Sequence, residues 1–334
     1  MGDLTLILGL VLLSAVVFDF INGFHDTANA IATVIATRVL APWQAILMSA
    51  ALNVVGALTG TAVAATIGKG LIDPSAISQS GVLAALLGAI IWNLLTWYYG
   101  IPSSSSHALV GGLVGAAVAH AGIGAPLWLS ILEKVVLPFI ASPIVGFLIA
   151  AVVMVLLLNA FQRASRAGMR SIFGRLQLLS SAFMAFGHGN NDAQKTMAVV
   201  TIALIAAHVL PADSGIPLPV IALAATTMGL GTAAGGWRII RTMGSRLTHL
   251  DPVHGFAAET SAATVIEVAS LLGFPLSTTH VIASTIMGIG AVRGMGNVRW
   301  NVAGNMVTAW ILTIPASALV AFIVYDLLRM IGLG

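Results

Sequence analysis

The chain has 334 residues, of which 58% are hydrophobic and only 7% charged, with a formal net charge of +3. A soluble domain carries about 25% charged residues, so this composition cannot supply a water-soluble surface and reads instead as a polytopic helical membrane protein in the lipid bilayer. There are no cysteines, which excludes disulfides and thiolate ligands or nucleophiles, and there is no basic stripe of the kind that nucleic acid requires.

About twenty apolar residues cross a hydrocarbon core. In chain order the candidate segments are Leu4–Phe24, Asp26–Leu40, Trp43–Gly68, Ser80–Tyr99, Ser104–Ala121 and Ser130–Leu158, then Leu176–Phe186, Asp192–Leu210, Pro217–Trp237, Gly255–Leu272, Ser277–Val292 and Trp300–Leu328. Leu4–Phe24 is long and lacks a basic flank, so it reads as a retained helix rather than a cleaved leader. Residues 159–175 form a linker with Arg163, Arg166, Arg170 and Arg175 and no acid, which the positive-inside rule places in the cytoplasm. The loop with Arg238, Arg241 and Arg246 belongs on the same side. An even number of crossings must separate the two, so Leu176–Leu210, and by analogy Leu4–Leu40, are expected as single spans broken at a polar stretch. The expected fold is all-α, with about 10–12 transmembrane segments in two repeats of inverted topology, 1–158 and 176–334. Both termini would lie outside, and discontinuous or re-entrant helices would line the centre.

The polar stretches carry the chemistry. Gly187-His188-Gly189-Asn190-Asn191-Asp192-Ala193-Gln194-Lys195 lies between apolar runs, and Asn22-Gly23-Phe24-His25-Asp26-Thr27-Ala28-Asn29-Ala30 repeats its character. Ionisable groups at membrane depth are functional-site hypotheses by default. A second pair follows in the same order: Gly100-Ile101-Pro102-Ser103-Ser104-Ser105-Ser106-His107 and Gly273-Phe274-Pro275-Leu276-Ser277-Thr278-Thr279-His280. Repeats of this kind with broken helices at a pseudo-two-fold axis are a common construction of secondary transporters.

Asp26 and Asn29 are spaced i,i+3, as are Asp192 and Lys195, so each pair shares a helical face. Carboxylate and carboxamide oxygens suit Na⁺ or a proton, which makes Asn22, His25, Asp26, Asn191 and Asp192 the coupling-cation candidates. Asp26 and Asp192 are the metal ligands if the cation is sodium. Lys195 offers a compact charge to an oxyanion. The plainer alternative, in which the aspartates only cap half-helices, leaves the lysine and amides unexplained. Ser104, Ser105, Ser106, Ser277, Thr278 and Thr279 can line an anion at the first turn of a helix, or can simply cap and pack helices. His107 and His280 read at least as readily as structural. Glu259 is expected near the interface and Glu267 deeper, functional or ion-paired, with Asn53 and Asn93 as helix–helix hydrogen bonds.

At these residues the sequence resembles the inorganic phosphate transporter (PiT) family. Its duplicated G-x-N-D-x-x-[NQ]-x signature is similar to Gly23–Ala30 and Gly189–Lys195, and its Pro-hydroxyl-His elements to Pro102–His107 and Pro275–His280. The resemblance covers both halves. It implies a symporter for inorganic phosphate driven by H⁺ or Na⁺, an inverted-repeat fold, a homodimer and residence in the cytoplasmic (inner) membrane. It assigns the aspartates to the cation, and to phosphate the amides and hydroxyls of Thr27, Asn29, Asn190 and Gln194, the six Ser and Thr above, and Lys195. No cofactor is implied beyond the co-transported ion, with phosphate travelling free or as a divalent-metal complex. His25 stands where the signature has Asn, in the manner of bacterial members associated with proton or metal-phosphate symport, and favours H⁺. The rivals are transport of sulfate or another tetrahedral oxyanion, a passive channel, and an intramembrane hydrolase using Ser105 or Ser106 with His107.

Overall fold

The computed structural model describes residues 2–72, 77–211 and 213–333. Apart from a single bridge between Ile72 and Pro126, the regular elements among them are helical. They run α1 (Gly2–Ala36), α2 (Pro42–Ala57), α3 (Ala62–Gly70), α4 (Gln79–Tyr99), α5 (Ser105–Ala121), α6 (Trp128–Ile131) and α7 (Leu137–Ala160), then α8 (Arg166–Ala206), α9 (Leu218–Ala234), α10 (Trp237–Arg241), α11 (Pro252–Leu271), α12 (Thr278–Val292) and α13 (Trp300–Met330). A π-helical stretch, Leu132–Val136, joins α6 to α7, and another, Thr242–Arg246, extends α10.

Helices Leu6–Ala36, Gln79–Tyr99, Trp128–Ala160 and Trp300–Met330 are each long and apolar enough to cross a membrane. So are two pairs when taken together, Pro42–Ala57 with Ala62–Gly68 and Leu218–Ala234 with Trp237–Arg246, bent by 68° and 60°. The protein is therefore a multi-pass membrane protein, and α5, α12, most of α11 and the second half of α8 are largely buried.

Both motif stretches were expected to break their helices, and neither does. Asn22–Ala30 lies inside α1 and Gly187–Lys195 inside α8, each an unbroken α-helix. The glycines serve close approach instead. A Cβ on Gly189 would fall on the backbone of Asn53 in α2, and one on Gly23 would meet the backbone of Met228 and Gly231 in α9. The discontinuities lie in those partners. The α2–α3 bend rests on Asn190 and Gln194 of α8, and the α9–α10 bend rests on Phe24 and His25 of α1. The linker is also shorter than 159–175: Ser165 caps α8 by accepting from the Gly168 N–H at 3.1 Å, so Arg166, Arg170 and Arg175 ride on its first turns.

The contacts between halves are reciprocal. Helix α2 packs on α8 as α9 packs on α1, and α13 packs on α5 as α12 packs on α7. Long helices α1 and α8 run antiparallel, since Asp19 meets Thr196, Ala30 meets Ser181 and Thr37 meets Gln177. The corners before α5 and α12 match as well. Gly100 (φ 64°) and Gly273 (φ 74°) adopt left-handed backbone that favours glycine. Ser104 and Ser277 then accept the His107 and His280 backbone N–H, each at 3.2 Å.

Candidate functional site

Helices α1 and α8 cross at their motifs, and the N-termini of α5 and α12 abut that crossing. Asp26, His188 and Asp192 are buried, and each offers a ligand atom within 4.8 Å of the others. Lys195 Nζ donates to Asp192 Oδ1 at 2.6 Å, with both side chains fully buried. His25 Nδ1 lies 2.8 Å from Asp26 Oδ1, and its Nε2 lies 3.1 Å from the Thr96 hydroxyl of α4. His188 Nε2 stands 3.4 Å from Asp192 Oδ2, and its Nδ1 is 3.2 Å from Asn53 Oδ1.

A single carboxamide ties the two acids together. Asn29 Nδ2 donates to the hydroxyls of Thr278 (3.1 Å) and Thr279 (2.9 Å). Thr278 in turn donates to Asp192 Oδ2 at 3.4 Å, and Thr279 to Asp26 Oδ1 at 3.3 Å. The first turn of α12 thus sits between the carboxylates of both halves.

Buried acceptors without donors surround this core: Asp19 Oδ2, Asn22 Oδ1, Asn29 Oδ1 and Asn191 Oδ1. Buried polar atoms are ordinarily satisfied, and a set consisting of oxygens is what a hard cation such as Na⁺ takes. Of the carboxylates, Asp26 and Asp192 lie close enough together to share such an ion, with ligand atoms within 4.8 Å of each other. Donors are left over at the helix starts, where the Ser105 hydroxyl has no partner. Two helix N-termini facing each other bring positive dipole ends and free N–H groups to one place, which suits an anion.

The other sequence candidates are placed as follows. Asn22 Nδ2 faces the Met228 sulfur at 3.8 Å, and Asn191 donates to Ser270 at 2.8 Å. Asn190 donates to Glu267 at 3.2 Å, while Gln194 Oε1 accepts the Ala64 N–H of the third residue of α3 at 3.1 Å. Thr27 bonds the backbone carbonyls of Gly23 and Thr232, and Ser106 bonds Leu276 O at 2.9 Å. Ser104 and Ser277 act as caps. The geometry therefore gathers His25, Asp26, Asn29, Asp192, Lys195, Thr278 and Thr279 into one network and leaves the rest around it.

Several expectations change. Glu259 is fully buried rather than interfacial, because the hydroxyl of Thr33 (2.5 Å), Gln177 Nε2 (3.0 Å) and the Ser180 hydroxyl all donate to it. Glu267 is half-buried and has no cationic partner among the described residues. Asn53 does bridge helices, bonding Thr232 at 2.8 Å, whereas the Asn93 amide is buried with no partner among the described residues. Among the described residues the rings of His107 and His280 have no hydrogen-bond partner; they lie 5.0 Å apart, with His280 stacked on Trp310 at 4.0 Å. Sequence reasoning missed Asp19, which accepts from Thr196 at 2.7 Å, and the ligand role open to His188. The signal was present in α1, where Asp19, Asn22, Asp26, Asn29, Thr33 and Thr37 follow the 3–4 spacing of one helical face.

The family model described as the phosphate transporter family matches residues 22–168 and 159–321, so both halves are covered. A probable low-affinity inorganic phosphate transporter of Bacillus subtilis (strain 168) is 45% identical over 98% of this chain and 99% of its own length. A protein of the same description from Rhizobium meliloti (strain 1021) is 44% identical over 96% of each chain. A solved structure described as the sodium-dependent phosphate transporter superposes with a TM-score of 0.87 at 27% identity, covering 97% of this chain and 99% of that one.

Proposed function

The chain belongs to the phosphate transporter family, and we propose that it takes up inorganic phosphate across the cytoplasmic membrane by symport with a cation. It is a transporter rather than an enzyme. The observation that carries the coupling is the Asp192–Lys195 pair, buried at 2.6 Å inside the network that also holds Asp26. While Asp192 is charged it occupies the ammonium of Lys195. A cation bound to Asp192 or a proton on it weakens that pair and leaves Lys195 available to an oxyanion. Phosphate then binds against Lys195, the free N–H groups of α5 and α12, and the hydroxyls of Ser105, Thr278 and Thr279. The loaded carrier has its buried charges neutralised and can reorient, whereas the empty or half-loaded carrier holds uncompensated charge at membrane depth.

The buried imidazole of His25, 2.8 Å from Asp26 Oδ1, supports H⁺ as the coupling ion, because the two groups can share a proton. Sodium is the second reading, favoured by the buried, unpartnered oxygens of Asp19, Asn22, Asn29 and Asn191 among the described residues and by a solved relative described as the sodium-dependent phosphate transporter. Repeats 1–158 and 176–334 would stand in inverted orientation, the arginine-bearing linker inside and both termini outside, in a homodimer. Labelled-phosphate uptake into proteoliposomes under imposed pH and Na⁺ gradients tests this reading. Accumulation driven by one gradient and resistant to excess sulfate is expected. Flux without gradient dependence would make the protein a channel, and full competition by sulfate would make it a general oxyanion carrier.

A further inference from the structure

Away from the crossing, a cavity of about 930 Å³ opens where the α7–α8 linker meets the ends of α1 and α12 and the start of α11. Its wall carries Arg38, Arg166, Arg170 and Arg293. None of the four is in an ion pair among the described residues. The one acid of the wall, Asp251, is already engaged by His254 at 2.8 Å. Arg38 holds a left-handed backbone (φ 61°) at the end of α1, where glycine is the usual residue. An arginine kept there at a steric cost points to a use for its charge.

The opposite side of the cavity is apolar, formed by Leu157 and Leu158 with Met154. Leu158, itself exposed, continues the outward stripe of α7, in which Leu148, Val152 and Leu156 are more than half exposed on a membrane-facing helix. A cluster of cations therefore sits at the end of a lipid-facing apolar strip. The volume lies toward the upper end of the roughly 300–1,000 Å³ typical of organic ligand sites, well beyond what an inorganic anion fills. We propose that this cleft binds an anionic phospholipid, its headgroup phosphate among the arginines and an acyl chain against Leu157 and Leu158. Basic pockets between helices on the cytoplasmic side are suited to such headgroups.

The test uses the full chain reconstituted in vesicles of equal parts phosphatidylglycerol and phosphatidylcholine, with retained lipid read by native mass spectrometry. Wild-type protein is expected to retain phosphatidylglycerol several-fold over phosphatidylcholine. R166Q/R170Q loses that preference, and R163Q/R175Q, with the same charge change on the same segment but outside the cavity wall, keeps it. Arg293→Gln serves as an independent variant should the double variant fail to fold, and it should also lose the preference. Equal retention of the two lipids by wild type, or the same loss in R163Q/R175Q, overturns the proposal. Displacement of the retained lipid by inorganic phosphate overturns it too, because a free anion would then be the occupant.

Discussion

At the scale of single residues, the Asp192 carboxylate faces Lys195, His188 and Thr278 at once. Removing one partner of a buried pair strands the other, at a cost of about 3–5 kcal/mol. Asp192→Asn should therefore lower the unfolding temperature in detergent substantially, and adding Lys195→Met should recover most of that loss while leaving uptake absent. Unchanged stability in Asp192→Asn would mean that Lys195 finds another partner. At the membrane surface, Asp251 accepts from the Val253 and His254 N–H groups at the start of α11. Partial burial pulls its carboxyl upward, but the hydrogen bonds and charge of His254, with Arg293, outweigh this and hold it below the usual carboxylate range. A lowered folded value contributes stability above the ordinary pKa near 3.9 that fades as pH falls through it. Asp251→Ala should cost about 1 kcal/mol at neutral pH, with the gap to wild type closing in acid. A gap that stays constant down to acid pH would contradict this reading.

At the scale of elements, the crossing of α1 and α8 depends on backbone contact at glycine. Gly189→Ala would drive a Cβ onto the Asn53 backbone, which cannot move without shifting α2. Gly187→Ala meets only the end of the Glu267 side chain, 2.9 Å away and free to swing aside. The first should abolish folded protein in a size-exclusion profile, and the second should leave it largely intact; equal outcomes would refute the contact. This also shows what the sequence could convey. The Gly-x-Pro-hydroxyl corners were legible because Gly100 and Gly273 need left-handed backbone and Ser104 and Ser277 need to cap. The unbroken course of α1 and α8 was not, since a glycine beside polar residues in apolar sequence reads equally as an opening or as a contact. Only the neighbouring helix decides between them. Glu259 was misplaced for the same reason: its donors Thr33, Gln177 and Ser180 come from α1 and α8, far away in the chain.

At the scale of the whole molecule, each half supplies one acid, one bent pair and one helix N-terminus, and each bent pair rests on the motif of the other half. If phosphate and cation bind at the crossing as proposed, their occupancy would bear on the relative position of both halves, which alternating access requires. The two acids are not equivalent, because Asp26 faces an imidazole and Asp192 an ammonium. In the proposed mechanism the coupling cation governs phosphate affinity through the Asp192–Lys195 pair. By linkage, a cation that releases Lys195 must tighten phosphate, and phosphate must tighten the cation by the same factor. The most direct test is equilibrium binding of labelled phosphate to the purified protein across a range of pH and of Na⁺, for wild type and Lys195→Gln. Wild-type affinity should rise with one of the two cations, and Lys195→Gln should bind phosphate weakly and without that dependence. Wild-type affinity that stays constant across both titrations would contradict it.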